Sequence, residues 1–265
     1  MSAIKIYNAT ELWQRESGSP SIPSFSLALD NALGNDGIQL GSMTELIGLP
    51  GSGKTQLCLQ FCASVQIPKI LGGLSAEALF VDTNTNFNIH RFKEILFASL
   101  SKCQSLLDTS IAVQEEDALK KIHYINAIGL EKFCASIKQL PKLIQEHPNI
   151  KLIAIDSIAF PFKEGISAKQ RTGLLFRLMA DLQRLAMEQQ IAVVLTNEMS
   201  TRVGLSCGAV VGALGDAWAH RCGRRVLLSG AGAARAALLL KSNDAPTAVA
   251  RFKVQITEDG IRDID

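Results

Sequence analysis

One run of eight residues restricts this chain more than any other: Gly48-Leu-Pro-Gly-Ser-Gly-Lys54-Thr55 satisfies G-x4-G-K-[ST] at every fixed position. It stands between an apolar run, Met43–Ile47, that reads as a strand, and a helical pattern over residues 54–66. In that setting Gly51 and Gly53 let successive backbone N–H groups turn inward around a phosphate, and the helix N-terminus adds its partial positive charge. Lys54 reaches the outer phosphates and Thr55 is placed to hold magnesium. Gly48, Pro50, Gly51, Ser52, Gly53, Lys54, Thr55 and the following Gln56 are the candidate nucleotide-binding residues. Such a loop needs an acidic partner at the end of a neighbouring strand, to orient the hydrated metal from the side opposite the threonine. Lys151-Leu-Ile-Ala-Ile-Asp156 supplies it, which makes Asp156 the second metal residue.

The alternation continues along the chain. Ala78–Asp82, Ile122–Ile125, Leu152–Asp156 and Ile191–Thr196 read as further strands, with helices near 129–146 and 168–190 between them. Strands separated by helices imply an α/β fold with a mainly parallel sheet covered on both faces. After Asp216 the pattern changes. Arg225–Ser229, Ala234–Lys241 and Ala250–Thr257, divided by Gly-rich or Asn-Asp-Ala-Pro turns, read as antiparallel strands, although the Ala/Leu-rich 231–240 run has helix propensity too. Gly18, Pro20 and Pro23 mark off an arm, so the expected organisation is an arm over residues 1–20 and one core over 21–265.

With 265 residues, 47% of them apolar and 20% charged, the chain can bury a sizeable core, which excludes disorder, collagen and coiled coil. Its formal charge of +2 gives no global field toward nucleic acid, so any basic binding surface has to be local. The six cysteines form no C-x2-C pair and no close Cys/His group has zinc-ligand spacing, which points to free thiols in a reducing compartment. His90, His123 and His147 have no nucleophile or metal partner at useful spacing and read as structural or surface residues. Residues 1–20 carry Lys5, Glu11, Arg15 and Glu16 without an apolar run, and no 18-residue apolar stretch occurs. Neither a signal peptide nor a membrane span is therefore expected, and the chain reads as soluble and intracellular.

Six segments carry a resemblance: Gly53-Lys-Thr-Gln-Leu-Cys-Leu-Gln60, Val65-Gln-Ile-Pro68 with Gly72-Gly73, Phe80-Val-Asp-Thr83, Ile158-Ala-Phe-Pro-Phe162, Val194-Leu-Thr-Asn197 and Ala213-Leu-Gly-Asp-Ala-Trp218. Through them the chain resembles the RecA-type recombinases, and within these the eukaryotic paralogues of the Rad-fifty-one family, most of all the C-type. The resemblance runs from about residue 20 onward. It implies a RecA-like core that binds ATP and Mg2+ and a nuclear role in homologous recombination, in double-strand break repair or meiosis. The implied partners are other RecA-like paralogues, the strand-exchange recombinase and single-stranded DNA.

The resemblance also assigns residues. Arg91 matches an Arg that lies against the adenine ring, a role suited to a planar guanidinium. Lys163, Lys169 and Arg171 lie in what resembles a first DNA loop and Arg202 begins the second; flexible basic loops follow a phosphate backbone without reading bases. The family carries a small helical domain before the core, and this chain is expected to start too late for one. What remains is the arm, where Ile6-Tyr7-Asn8-Ala9-Thr10-Glu11 resembles a segment that adds as a strand to a neighbouring subunit's sheet, with pockets for Ile6 and Ala9. His220-Arg-Cys-Gly-Arg-Arg225, the densest basic stretch, suits DNA binding, contacts across a subunit boundary or strand-end solubility alike.

Two departures from the family sit where γ-phosphate chemistry takes place. After Phe80-Val-Asp-Thr83 the family has a Glu that activates water; here Asn84 follows, and an amide orients water without accepting its proton. After Thr196-Asn197 the family has a Gln that senses the γ-phosphate; here Glu198 follows, and a carboxylate beside a triphosphate is repelled unless magnesium or another cation intervenes. The expectation is an accessory protein that binds ATP with weak or no hydrolysis. The alternative is an active DNA-dependent ATPase or strand-exchange motor, with Glu198 serving as base. A small-molecule kinase would need an Arg/Lys lid and an acceptor pocket that the sequence does not offer.

Overall fold

The computed structural model describes residues 6–34, 36–107, 113–163, 166–201, 210–231, 234–243, 246–255 and 259–263. In chain order the elements are α1 (Ala9–Ser17), β1 (Ser21–Ile22), α2 (Leu27–Leu33), β2 (Ile38–Gln39), β3 (Met43–Gly48), α3 (Lys54–Ser64), β4 (Glu77–Asp82), α4 (Ile89–Leu106), α5 (Glu115–Lys120), β5 (Ile122–Asn126) and α6 (Leu130–Glu146). They continue with β6 (Ile150–Asp156), α7 (Ala168–Gln189), β7 (Ala192–Thr201), β8 (Val210–Gly212), α8 (Gly215–Arg221), β9 (Arg224–Ala231), β10 (Ala234–Lys241), β11 (Val249–Gln255) and β12 (Gly260–Asp263). The main sheet runs β12-β11-β10-β9-β3-β7-β6-β4-β5, and β8 pairs with β7.

From β9 to β5 every neighbouring pair is parallel. The apolar runs of the central strands are continuous because both faces of the sheet are covered. Ala78 and Phe80, Leu152 and Ala154, and Ala192 and Val194 face one core with Leu57, Cys58 and Phe61 of α3 and Phe92 and Ile95 of α4. Their alternates, Leu79 and Val81, Ile153 and Ile155, and Val193 and Leu195, face the other with Phe133, Ile137 and Leu140 of α6 and Leu178, Met179 and Leu182 of α7. This period of two is the strand's own geometry, so a single slip in register would exchange the two cores. Among the described residues no helix is long and apolar enough to cross a membrane, and the described cysteines, Cys58, Cys62, Cys103, Cys134 and Cys222, are free.

The α/β architecture and the antiparallel C-terminal extension agree with the sequence reading, strand Ala234–Lys241 included, with two adjustments, the pairing of β9 and the presence of helix α4. β9 pairs parallel with β3 and antiparallel only with β10, so the antiparallel part begins one strand later than expected. The Ala/Leu-rich run is strand β10, because pairing with β9 on one side and β11 on the other outweighs helix propensity. Helix α4 was missed, although Phe92, Ile95, Leu96 and Leu100 recur at helical spacing and Asn88 caps its N-terminus, accepting from Arg91 N at 3.0 Å. In the arm, whose strand is expected only on a neighbouring subunit's sheet, Ala9-Thr10-Glu11 begins helix α1 of the single chain. Asn8 Oδ1 accepts from Glu11 N at 2.9 Å while Glu11 Oε2 accepts from Asn8 N at 3.0 Å. In the single chain this reciprocal cap decides the local conformation.

Short β12, unforeseen in the sequence, closes the structure onto α2 and α3. Buried Gln60 of α3 accepts from Ile261 N at 3.0 Å and donates to Ser99 Oγ at 3.1 Å. Asp263 accepts from Ser26 Oγ at 2.5 Å, Leu27 N at 2.8 Å and Ala28 N at 3.1 Å, capping α2 from the far end of the chain. Next to it lies Asp30, 7% exposed, which accepts from Ser24 N at 2.8 Å. Burial, helped by the charges of Asp263 and Asp36 and opposed by the Ser24 bonds, pushes the Asp30 carboxyl up to about 6.

The sign of the resulting pH dependence follows. Below the unfolded value of about 4 both states are protonated; between there and about 6 the unfolded chain ionises first, so stability falls as pH rises. Above that window the folded state carries a charge it disfavours. Asp30→Asn should therefore raise stability at pH 8 by up to about 3 kcal/mol, roughly two pKa units, and have little effect at pH 4. Urea unfolding at the two pH values checks this, and an equal effect at both would contradict it.

Candidate nucleotide site

Parallel register brings the functional strand ends to one edge. Gly48 is level with Glu198 across β3 and β7, and Asp82 with Asp156 across β4 and β6. Gly48 must be glycine: a Cβ there would lie 2.3 Å from Ser52 Oγ and 2.6 Å from Leu228 O of β9. Gly51 and Gly53 have φ of 77° and 98°, the left-handed region that turns the loop into helix α3. Lys54 Nζ folds back over the loop and donates to Gly48 O at 2.8 Å and Leu49 O at 3.0 Å. Burial lowers its ammonium from the usual lysine value, against the opposing fields of Asp156 and Glu198.

At the foot of the loop Thr55 Oγ1 donates to Asp156 Oδ2 at 2.6 Å, and Thr196 Oγ1 donates to Asp156 Oδ1. Asp156 is 2% exposed. Burial raises its carboxyl above the ordinary range, and Asp82 adds to this, while the two hydroxyl donors and Lys54 work the other way. A hydroxyl and a buried carboxylate in contact form an all-oxygen set suited to a hard cation such as Mg2+. Ser52 Oγ, buried in the loop without a hydrogen-bond partner among the described residues, is a polar atom still available to a phosphate. These residues thus fit both Mg2+ and a nucleotide.

Asp82 has a different task although it is level with Asp156. Its Oδ1 accepts from Asn84 N and Asn86 N at 3.0 Å each, and its Oδ2 from Phe87 N at 2.9 Å and Tyr124 OH at 3.3 Å. The carboxylate therefore shapes the loop that carries Asn84. Thr83 pins that loop to the metal strand, with Oγ1 accepting from Ser157 N at 2.8 Å and donating to Ser157 O at 2.9 Å. Asn84 thus follows a residue bonded to the neighbour of Asp156. Glu198, on the other side, pairs with Lys163 Nζ at 2.7 Å, and the same ammonium lies 4.6 Å from the Phe160 ring centroid. Pro161 and Phe162 are buried and Phe162 packs edge-on against Phe133, which anchors this turn to α6.

Arg91 is buried at 8% exposure, so it is no solvated surface residue. Its Nε donates to Gln56 Oε1 at 2.8 Å and its Nη1 to Glu94 Oε2 at 2.8 Å, which ties α4 to the residue after Thr55. Lys169 is exposed and Arg171 half-buried in the first turn of α7. Arg202 lies outside the described residues. The basic stretch at 220–225 is not a continuous surface patch: Arg224 is 4% exposed and Arg225 turns inward to an acidic residue.

That residue is Glu45, which the sequence reading passed over. It is fully buried on β3 and accepts from Asn197 Nδ2 at 2.6 Å, Trp218 Nε1 at 2.7 Å and Arg225 Nε at 2.6 Å. The signal was a lone carboxylate inside the apolar run Met43–Ile47. A second omission is Arg235 of β10, whose Nη2 donates to Gly51 O at 3.0 Å and so reaches the phosphate loop. Nothing local in the sequence marks it, because β10 meets the loop only through the sheet.

Comparison with known proteins places these features in context. The Rad51 family description matches residues 20–264. "DNA repair protein RAD51 homolog 3" of Cricetulus griseus is 34% identical over 98% of this chain and 73% of its own length. The Dictyostelium discoideum protein of the same name is 29% identical over 96% of the chain and 68% of its own length. "DNA repair and recombination protein RadA" of Metallosphaera sedula is 32% identical over 99% of the chain and 78% of its own length.

Glu45→Ala should destabilise the fold by about 3–5 kcal/mol, because it leaves the half-buried Arg225 guanidinium without its counter-charge and the donors of Asn197 and Trp218 without their acceptor. Chemical denaturation checks this. A loss below about 1 kcal/mol, the worth of an exposed pair, would show that the pair is solvated.

Proposed function

Because this chain belongs to the Rad51 family, whose relatives support a role in recombination and DNA repair, we propose that it is an ATP-binding accessory of homologous recombination. In this reading it works in the nucleus, in a complex with sister RecA-like paralogues and the strand-exchange recombinase on single-stranded DNA. It holds ATP with weak or no hydrolysis, in general repair and in meiosis. The observation that carries the reading is the Lys163–Glu198 ion pair.

Glu198 stands level with the phosphate loop, where a bare carboxylate would repel a triphosphate. Lys163 offsets that charge and makes binding compatible with Glu198. The same pair occupies the carboxylate, so Glu198 is poorly placed to take a proton, and Asn84 cannot take one. Thr55 and Asp156 would hold Mg2+, which when bound screens phosphate charge. Ser52, Lys54 and the loop amides receive the phosphates, while Arg91, held by Gln56, stands at the site where the adenine would lie.

Lys169 and Arg171 support the DNA contact. They stand in the first turn of α7, which has no acidic residue. Cations at a helix N-terminus cost about 0.3–1 kcal/mol, which an approaching phosphate would offset. The ion pair also favours one second reading: DNA phosphate that draws Lys163 away would free Glu198 as a base, giving a DNA-dependent ATPase.

A fluorescent ATP analogue should bind the wild type and fail to bind Lys54→Ala, while steady-state ATPase stays near background even with Mg2+ and single-stranded DNA. Asn84→Glu with Glu198→Gln should then raise turnover by about 10²–10⁴-fold, the usual worth of a general base. Asn84→Glu alone should do less. Brisk wild-type hydrolysis that is lost in Glu198→Gln would establish the second reading instead.

The arm supports assembly. Ile6 is 89% and Trp13 67% exposed, so apolar area stands ready for a partner, and helix α1 would give way to an added strand on docking. Ile6→Glu with Ala9→Glu should weaken pull-down of a partner paralogue without unfolding the core. Full retention by the double variant would place assembly on another surface.

A further inference from the structure

Two of the histidines that lack metal spacing along the chain, His123 and His147, meet in space. Glu77 opens β4, His123 is the second residue of β5, and His147 caps the C-terminal end of α6. One ligand atom from each of the three lies within 4.8 Å of the other two. His123 Nε2 is 2.6 Å from Glu77 Oε2, and the His123 and His147 ring centroids are 4.5 Å apart. We propose that Glu77, His123 and His147 form a Zn2+ site, with water completing the coordination.

The backbone under all three residues is fixed. Leu79 is in register with His123 across the parallel pair β4 and β5. Glu77 N donates to Asn149 O at 2.9 Å, Ile150 N to His147 O at 3.1 Å, and His147 N to Leu143 O at 2.9 Å. Only side chains must move to bind metal. Zinc bonds to nitrogen and oxygen are about 2.0–2.2 Å, which puts tetrahedral ligand atoms roughly 3.4 Å apart. Rotation about side-chain bonds must bring His147 closer and let Glu77 Oε2 and His123 Nε2, 2.6 Å apart, separate to that distance, and their side chains, 22% and 25% exposed, have room to do so.

The donor chemistry selects the ion. Two imidazoles and one carboxylate suit Zn2+ and its transition-metal neighbours, whereas Mg2+ and Ca2+ take oxygen sets. The site lies at the opposite end of the strands from the nucleotide, since Glu77 begins β4 and Asp82 ends it. Three protein ligands leave one position open, and the exposed His147 leaves that position reachable by solvent. Bound metal would tie edge strand β5 and the end of α6 to β4.

The test uses the full chain stripped with a chelator and titrated with Zn2+ against a chromophoric competitor, then with Co2+ as a spectroscopic probe. One equivalent should bind, and the Co2+ form should show ligand-field bands without thiolate-to-metal charge transfer, which separates this site from the cysteines. His147→Ala, at an exposed helix end where folding is not at stake, should weaken binding at least about tenfold to a hundredfold, the loss already typical of outer-sphere partners. Glu77→Gln and His123→Ala should do the same, with ATP-analogue binding unchanged in all three variants. Absence of saturable binding, or an affinity unchanged in His147→Ala, would overturn the proposal.

Discussion

Glu45 holds a carboxylate at zero solvent exposure in the central strand, three residues before the phosphate loop. An isolated charge there would be prohibitively costly. It is tolerated because donors converge on it from β7, α8 and β9, each about 2.6–2.7 Å away. That requirement fixes the positions of Asn197, Trp218 and Arg225 relative to β3. It therefore also sets where the next residue of β7, Glu198, stands against the loop. The Leu214-Gly-Asp-Ala-Trp218 run is explained by the same contact, since its tryptophan supplies one of the three donors.

Two aspartates at matched register show how environment divides roles. Asp82 and Asp156 are paired across β4 and β6. Asp82 is committed to three backbone amides and a phenol, and so serves the loop's shape. Among the described residues Asp156 is held by two threonine hydroxyls, which can turn toward another partner at little cost. A change of partner at the Asp156 carboxylate would therefore leave the loop folded.

The Lys163–Glu198 pair connects the nucleotide edge to the basic segment that leads into α7. Phe160 supports the ammonium from below and is itself held by the buried Pro161-Phe162 turn. The Glu198 carboxylate is thus matched by a lysine delivered from a different strand end. The two charges offset each other although neither residue neighbours the other in sequence.

The sequence alone determined the strand-to-helix phosphate loop, the acidic strand end at Asp156, the two-sided parallel sheet and the family. Each of these rests on short-range pattern: glycines at fixed spacing, apolar runs, and helices of amphipathic period. It also singled out Asn84 and Glu198, since they directly follow the segments Phe80–Thr83 and Val194–Asn197. What it could not show was anything that depends on distant residues meeting. Lys163 reaching Glu198, Arg235 reaching Gly51, and Asp263 capping α2 all span separate elements. The histidines are the clearest instance. His123 and His147 are separated by helix α6, and helices α4 and α5 lie between Glu77 and His123, so chain spacing gave no hint of a cluster. Only the parallel pairing of β4 with β5 and the return of α6 to the same sheet end bring them together, because side-chain proximity there is set by strand register and helix length, not by distance along the chain.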